Sequence, residues 1–158
     1  MTYRIAGLAA ETFAPLFALS DDELASCNAR RVIAQSDRGY PCRISLRDAA
    51  VGEELILLHH TSHDVATPYR SAYAIYVRRD AAAAEFTDTT PPVFAGRPLG
   101  LRGFDRDGNL RDARLALPGE ADGKIRELLD DPAIAYIHAH NAAHGCFAAR
   151  IDRHGEQA

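Results

Sequence analysis

The chain has 158 residues and a mass of 17.2 kDa, the size of one domain, with a net charge of −4, 47% hydrophobic and 25% charged residues. Those values exclude a disordered chain, and no apolar run approaches the ~20 residues that span a bilayer. An acidic balance with pI near 5.9 excludes general nucleic-acid binding, and three cysteines, Cys27, Cys42 and Cys146, are too few and too oddly spaced for a disulfide framework or a zinc knuckle.

In chain order, the first clear element is a helix opening at Ser20-Asp21-Asp22-Glu23, an S-x-x-E capping box with three acids at the positive helix end. Asn28 ends it early, and Arg30–Ser36 reads as extended. Cys42–Arg47 alternates, with Cys42, Ile44 and Leu46 on one side and Arg43, Ser45 and Arg47 on the other, which predicts a strand. Glu54–His60 is apolar on both faces, as inner strands are, and the polar Thr61–Thr67 reads as loop. Tyr73–Arg79 is rich in aromatic and branched residues. Leu99–Phe104 and Leu110–Leu117 flank Asp107-Gly108, a strong hairpin signal. A helix fits Ala121–Asp130, with Ile125, Leu128 and Leu129 on one face and Pro132 beyond its end. Ala133–His140 and Cys146–Asp152 read as strands around the loop Asn141–Gly145. The expectation is a single α+β domain over residues 1–152, mainly antiparallel, with six to eight strands, two or three short helices and a frayed tail over 153–158.

The densest chemistry is His138–Cys146, HAHNAAHGC. Strand alternation puts Ile134, Tyr136, His138 and His140 on one face, and Ala133, Ala135, Ile137 and Ala139 on the other. Imidazoles two residues apart stand about 7 Å apart at Cα and can converge on one divalent metal ion. The metal set read here is His138, His140 and His144, with Cys146, His59, His60 and His63 as other sources of a further ligand. The same histidines suit a polar pocket without metal, or a half-exposed strand end that binds nothing.

Tyr40-Pro41-Cys42-Arg43 is the second feature. Pro41 fixes its own φ and gives Cys42 a defined direction. A nucleophilic thiol needs a base or cation beside it, which a histidine of the first cluster could supply. The plainer alternative is a buried thiol acting as a small hydrophobe. Alternation sets Arg43 opposite Cys42, away from that thiol, and a reversible Cys42–Cys146 disulfide is a further option. Third, Pro68-Tyr69-Arg70 follows a loop, and the Arg70 fork suits a carboxylate or phosphate. Asp48 and Glu53 bracket a turn, as a carboxylate pair or as plain exposed charge.

No G-x-G-x-x-G, Walker A, G-x-S-x-G or H-E-x-x-H motif occurs, and the lone Lys124 on a helix argues against Schiff-base chemistry. Alanine (29 residues) and arginine (17 of 18 basic residues) are over-used, which reflects GC-rich coding: the arginines are scattered and balanced by 22 acids.

Tyr40–Arg43, Asp48-Ala49 with Gly52-Glu53, Pro68–Arg70, and His138, His140–Ala142 with Gly145-Cys146 form an ordered set that resembles the bacterial "domain of unknown function 1203" family, from about Phe13 to Arg153. Tyr73 and Ala74 stand where a Gly-Pro pair is expected, within Ser71–Val77. The resemblance implies a recurring compact bacterial domain and names no substrate, cofactor or catalytic residue.

These readings predict a cytoplasmic domain with a pocket for a small polar or anionic ligand. It forms where Cys42 and Arg43 meet His138, His140, Asn141 and Cys146, with Arg70 as a further contact. Neither nucleic acid nor membrane is an expected partner. The rival is a non-catalytic homodimeric module, in which these residues brace a hairpin and an open sheet edge pairs between copies. Geometry separates the two: the pocket requires His138, His140 and Cys42 around one cavity.

Overall fold

Branched and aromatic runs become strands in two antiparallel sheets in the computed structural model, which describes residues 1–155. The larger sheet runs in the order β5 (Glu85–Thr87), β1 (Thr2–Ala6), β9 (Phe147–His154), β8 (Tyr136–Asn141), β6 (Leu99–Phe104), β7 (Leu110–Ala116). The smaller has β3 (Glu54–His63) between β2 (Ala29–Ile33) and β4 (Ser71–Arg78). Three short helices complete the α+β fold: α1 (Ala10–Phe13), α2 (Asp21–Ser26) and α3 (Ala121–Leu129). No helix among the described residues is long and apolar enough to cross a membrane.

The local signals explain most of this. At α2 the capping box forms in both directions, the Glu23 amide donating to Ser20 Oγ at 3.1 Å and the Ser20 amide to Glu23 Oε1 at 3.4 Å. Between β6 and β7, Asp105 Oδ1 accepts from the amides of Asp107 and Asn109, and Gly108 takes φ 87°. Nine strands exceed the expected six to eight, because β1 and β5 carry little pattern of their own and are held by their neighbours. β3 continues to His63, through residues expected to be loop. β9 holds Arg153 and His154, which were expected in a frayed tail, and residues 156–158 lie outside the described ones.

Period-two alternation gives the larger sheet two unlike faces. Ile5, Ile151 and Ile137 stand side by side across β1, β9 and β8, as do Ala149, Ala139 and Leu101 across β9, β8 and β6. They pack with Ile125, Leu128 and Leu129 of α3. Gly103 belongs to this face, since a Cβ there would come 2.6 Å from Ile134 Cδ1. The opposite face carries Tyr136, His138 and His140, with Phe104 and Phe147 opposite them in register. This face meets the smaller sheet, whose Ile56, Ile75 and Val77 share a core with Phe147, Phe13 and Leu24.

The segment expected as a strand at Cys42–Arg47 is instead a buried loop, and this corrects the alternating reading. Cys42, Arg43, Ile44, Ser45 and Leu46 are all buried, with no solvent side. Its backbone bonds go to several elements in place of one neighbouring strand. Arg43 N donates to Tyr76 O, Leu8 N to Arg43 O, Ala84 N to Ile44 O and Val93 N to Leu46 O, all within 2.9–3.1 Å. Leu46 sits at φ 53°, a left-handed conformation that costs roughly 1–2 kcal/mol, offset by about 2 kcal/mol from burying its side chain.

Gly7 makes that arrangement sterically accessible: a Cβ there would lie 1.8 Å from the Ile44 carbonyl oxygen. Backbone cannot yield as a side-chain tip can, so Gly7→Ala is expected to destabilise the fold by about 3 kcal/mol or more, measured by urea unfolding. A loss under about 0.5 kcal/mol, the range of neutral surface changes, would contradict the close approach.

Candidate functional site

The buried loop delivers Arg43 into the molecule. Its side chain is 2% exposed, and its Nη2 donates to Cys146 Sγ at 3.7 Å. Nε and Nη1 have no hydrogen-bond partner. Burial is the largest influence on this guanidinium and lowers its pKa from the ordinary arginine value; Cys146 works against that shift and Arg97 adds to it. Arg97 is itself neutralised by a two-pronged pair with Asp48, at 2.7 Å and 3.0 Å. Arg43 has no such carboxylate.

Beside Arg43 opens a cavity of about 330 Å³, between the loop, the Gly96–Pro98 segment and the β8–β9 turn. Asn141 and Cys146 face it from the turn, and Pro41, Ile75, Tyr76 and Pro98 supply apolar wall. Asn141 Nδ2 donates to Cys146 Sγ at 3.3 Å, leaving Asn141 Oδ1 unpartnered. The sulfur therefore receives two N–H groups, one carried by a cation. Gly145, at φ 78°, turns the chain so that Cys146 enters β9 facing Arg43.

The expected residues divide among separate environments. Arg43, Asn141, Cys146 and His144 line the cavity, with His144 exposed on the turn. Cys42 does not line it: its buried sulfur accepts from the backbone amides of Ser45 at 3.5 Å and Arg78 at 3.3 Å, which pins the loop. Arg70 is on another surface, paired with Asp64 at 3.0 Å. The Asp48–Glu53 carboxylate pair does not form either, since Asp48 holds Arg97 and Glu53 holds Arg78 and the Ala50 amide. Nor does the fold gather the three histidines of the metal reading. Among the described residues, no three His, Cys, Asp or Glu side chains are disposed to hold a metal ion. All three cysteines are free thiols.

His138 and His140 are buried between the sheets, away from the cavity. The His138 ring lies 4.9 Å from His63, 5.1 Å from Phe147 and 5.5 Å from both Phe104 and Tyr136, centre to centre. His140 packs on Tyr73 at 4.9 Å, and its Nδ1–H donates to the Gly145 carbonyl at 3.0 Å, which ties the inter-sheet layer to the turn carrying Cys146. The single cavity required to join His138, His140 and Cys42 is not what the fold builds. One contributor escaped the sequence reading, Arg97, which shows no motif. His63, expected as a source of a further ligand, sits instead in the inter-sheet layer with a 2.8 Å hydrogen bond to Tyr136 Oη.

Burial pushes the His138 pKa down to about 3, with His63, Arg150, His140 and Arg102 adding to it. It pushes His140 down to about 4, against the raising effect of the Gly145 carbonyl. Both rings therefore bind protons in the unfolded chain, below its pKa of 6.5, before they do in the folded one. Stability is full above about pH 6.5 and falls as the pH drops toward the folded values, by up to about 4 kcal/mol at pH 5. Urea unfolding at pH 7 and pH 5 measures this drop. His138→Phe, which removes one titrating ring from an aromatic layer, is expected to halve it, whereas equal stability at both pH values would contradict the buried neutral histidines.

The comparisons with known proteins bear on the same region. Residues 39–153 match a family model described as "Protein of unknown function (DUF1203)", a span that holds the buried loop, the cavity and the histidine layer, and starts after the α2–β2 region. No curated protein and no solved structure matches the chain. With nearly three-quarters of its length under that match, the chain belongs to the DUF1203 family.

Proposed function

We propose that this protein binds a small organic anion, of the carboxylate class, in the cavity beside Arg43. The observation that carries this reading is the 2%-exposed guanidinium of a cavity-lining residue, enclosed by protein with Nε and Nη1 unpartnered. A buried charge without a counter-ion is destabilising by several kcal/mol, so folds seldom keep one without use. A carboxylate bonds to a guanidinium in a forked, charge-assisted geometry, the class of partner that Nε and Nη1 lack. Asn141, also on the cavity, has a buried Oδ1 without a partner, and the apolar wall suits a short hydrocarbon body. The volume of about 330 Å³ lies at the small end of ligand sites, which favours a metabolite over a polymer. A cytoplasmic setting fits three free thiols.

Thermal unfolding with millimolar acetate, propionate, butyrate and benzoate tests the reading. At least one is expected to raise the melting temperature of the wild type and none that of Arg43→Met. That substitution fills similar space without charge, so without ligand it is expected to be as stable as the wild type or up to about 2 kcal/mol more stable. Equal shifts in both proteins, or no shift in either, would overturn the anchor role of Arg43.

A second reading, the homodimeric module, draws on β7, whose outer edge is open and which carries exposed Leu115 and leads into exposed Leu117. Sedimentation equilibrium at micromolar concentration decides it. A dimer disrupted by Leu115→Lys supports the module, and a monomer at all concentrations rejects it.

A further inference from the structure

We propose that Cys146 is a nucleophile that adds covalently to small carboxylates carrying an electrophilic carbon, held for it by Arg43. This rests on the anion-binding reading and names the substrate class of the same cavity.

Several features converge on the sulfur. Cys146 lines the cavity, whereas Cys42 is sealed in the core and Cys27 sits exposed on the rim of α2. Its Sγ accepts from Arg43 Nη2 at 3.7 Å and from Asn141 Nδ2 at 3.3 Å, which fixes the sulfur beside a cation at the cavity, the setting that reactive thiols use. Arg43 Nη2 faces the sulfur while its buried Nε and Nη1 have no protein partner, so one guanidinium stands beside the thiol with hydrogen-bonding capacity unused. Arg43 and Cys146 line one cavity, so a carboxylate drawn there by the guanidinium brings its α- and β-carbons near Sγ, the positioning that turns a bimolecular encounter into a local reaction.

With an α,β-unsaturated carboxylate the step balances without oxidant or reductant. The thiol gives its proton to solvent, and the S–C bond forms at the β-carbon. The C=C π pair moves to the α-carbon, which takes a proton from water. The net change is addition of S–H across the double bond. With a haloacetate, the S–C bond forms as the carbon–halogen bond breaks, and halide leaves with the electron pair.

The probe pair is iodoacetate and iodoacetamide, nearly the same shape with and without the negative charge, and Cys27 is the reference thiol in the same chain. Labelling rates at each cysteine are read by peptide mass spectrometry. The iodoacetate-to-iodoacetamide rate ratio at Cys146 is expected to exceed that at Cys27 by at least about tenfold, as a charge-assisted contact implies. In Arg43→Met the two ratios should agree within about twofold, the ordinary scatter of exposed thiols lacking a local charge. A measurement that needs no variant accompanies it: saturating propionate should slow iodoacetamide at Cys146 and leave Cys27 unchanged. If Cys146 stays inert to both reagents, or shows the ratio of Cys27, the nucleophile assignment is overturned. In that event Arg43-dependent thermal shifts by carboxylates would still uphold the binding site, and their absence would remove both.

Discussion

The structure depends on one segment, the buried loop around Arg43, finding hydrogen-bond partners in elements far away in sequence. A loop inside a protein carries amides and carbonyls that water cannot serve, and each unserved one is costly. Here Leu8 just past β1, β4, the turn before β5 and the short turn at Pro92–Phe94 all share the task. Cys42 Sγ closes two more amides, and the Arg97–Asp48 pair clamps the exit. The loop therefore acts as the mortar between the two sheets, and a side chain placed on it has a fixed position. That rigidity lets a charge be held where few sequences would tolerate one.

The larger sheet divides its labour by face. Isoleucines and alanines under α3 make an ordinary dry core. The opposite face uses imidazoles and aromatic rings, packed edge to face, in the layer between the sheets. Rings of this kind bury large area with preferred mutual angles and give the sheets a defined relative setting. His140 extends that setting to the β8–β9 turn through the Gly145 carbonyl. The histidines thus support the cavity from behind.

How far the sequence could be read follows from where each residue's partners lie. The faces of β8 were legible, because a regular strand converts parity directly into direction, and Ile137 and Ala139 do oppose His138 and His140. The α2 cap and the Asp107-Gly108 turn were legible for the same reason, their partners lying within a few residues. Cys42–Arg47 was not, since its alternation was accidental and its partners lie dozens of residues away. The YPCR and HNAAHGC segments meet where Arg43 Nη2 donates to Cys146 Sγ. Of the two YPCR side chains expected at one pocket, Arg43 reaches the cavity and Cys42 turns inward. Arg97 and Asp48 stand 49 residues apart, and nothing local joins them.

The left-handed Leu46 has a consequence for the order of assembly. A lone leucine gains little from that backbone region until its side chain has a core to enter, and this core is built by the larger sheet and α3. The Arg43 amide likewise waits on the Tyr76 carbonyl of β4, in the smaller sheet. The loop is therefore a late joint in folding, set only when both sheets are present. The cavity it frames can exist in the finished molecule and in no partly folded piece of it.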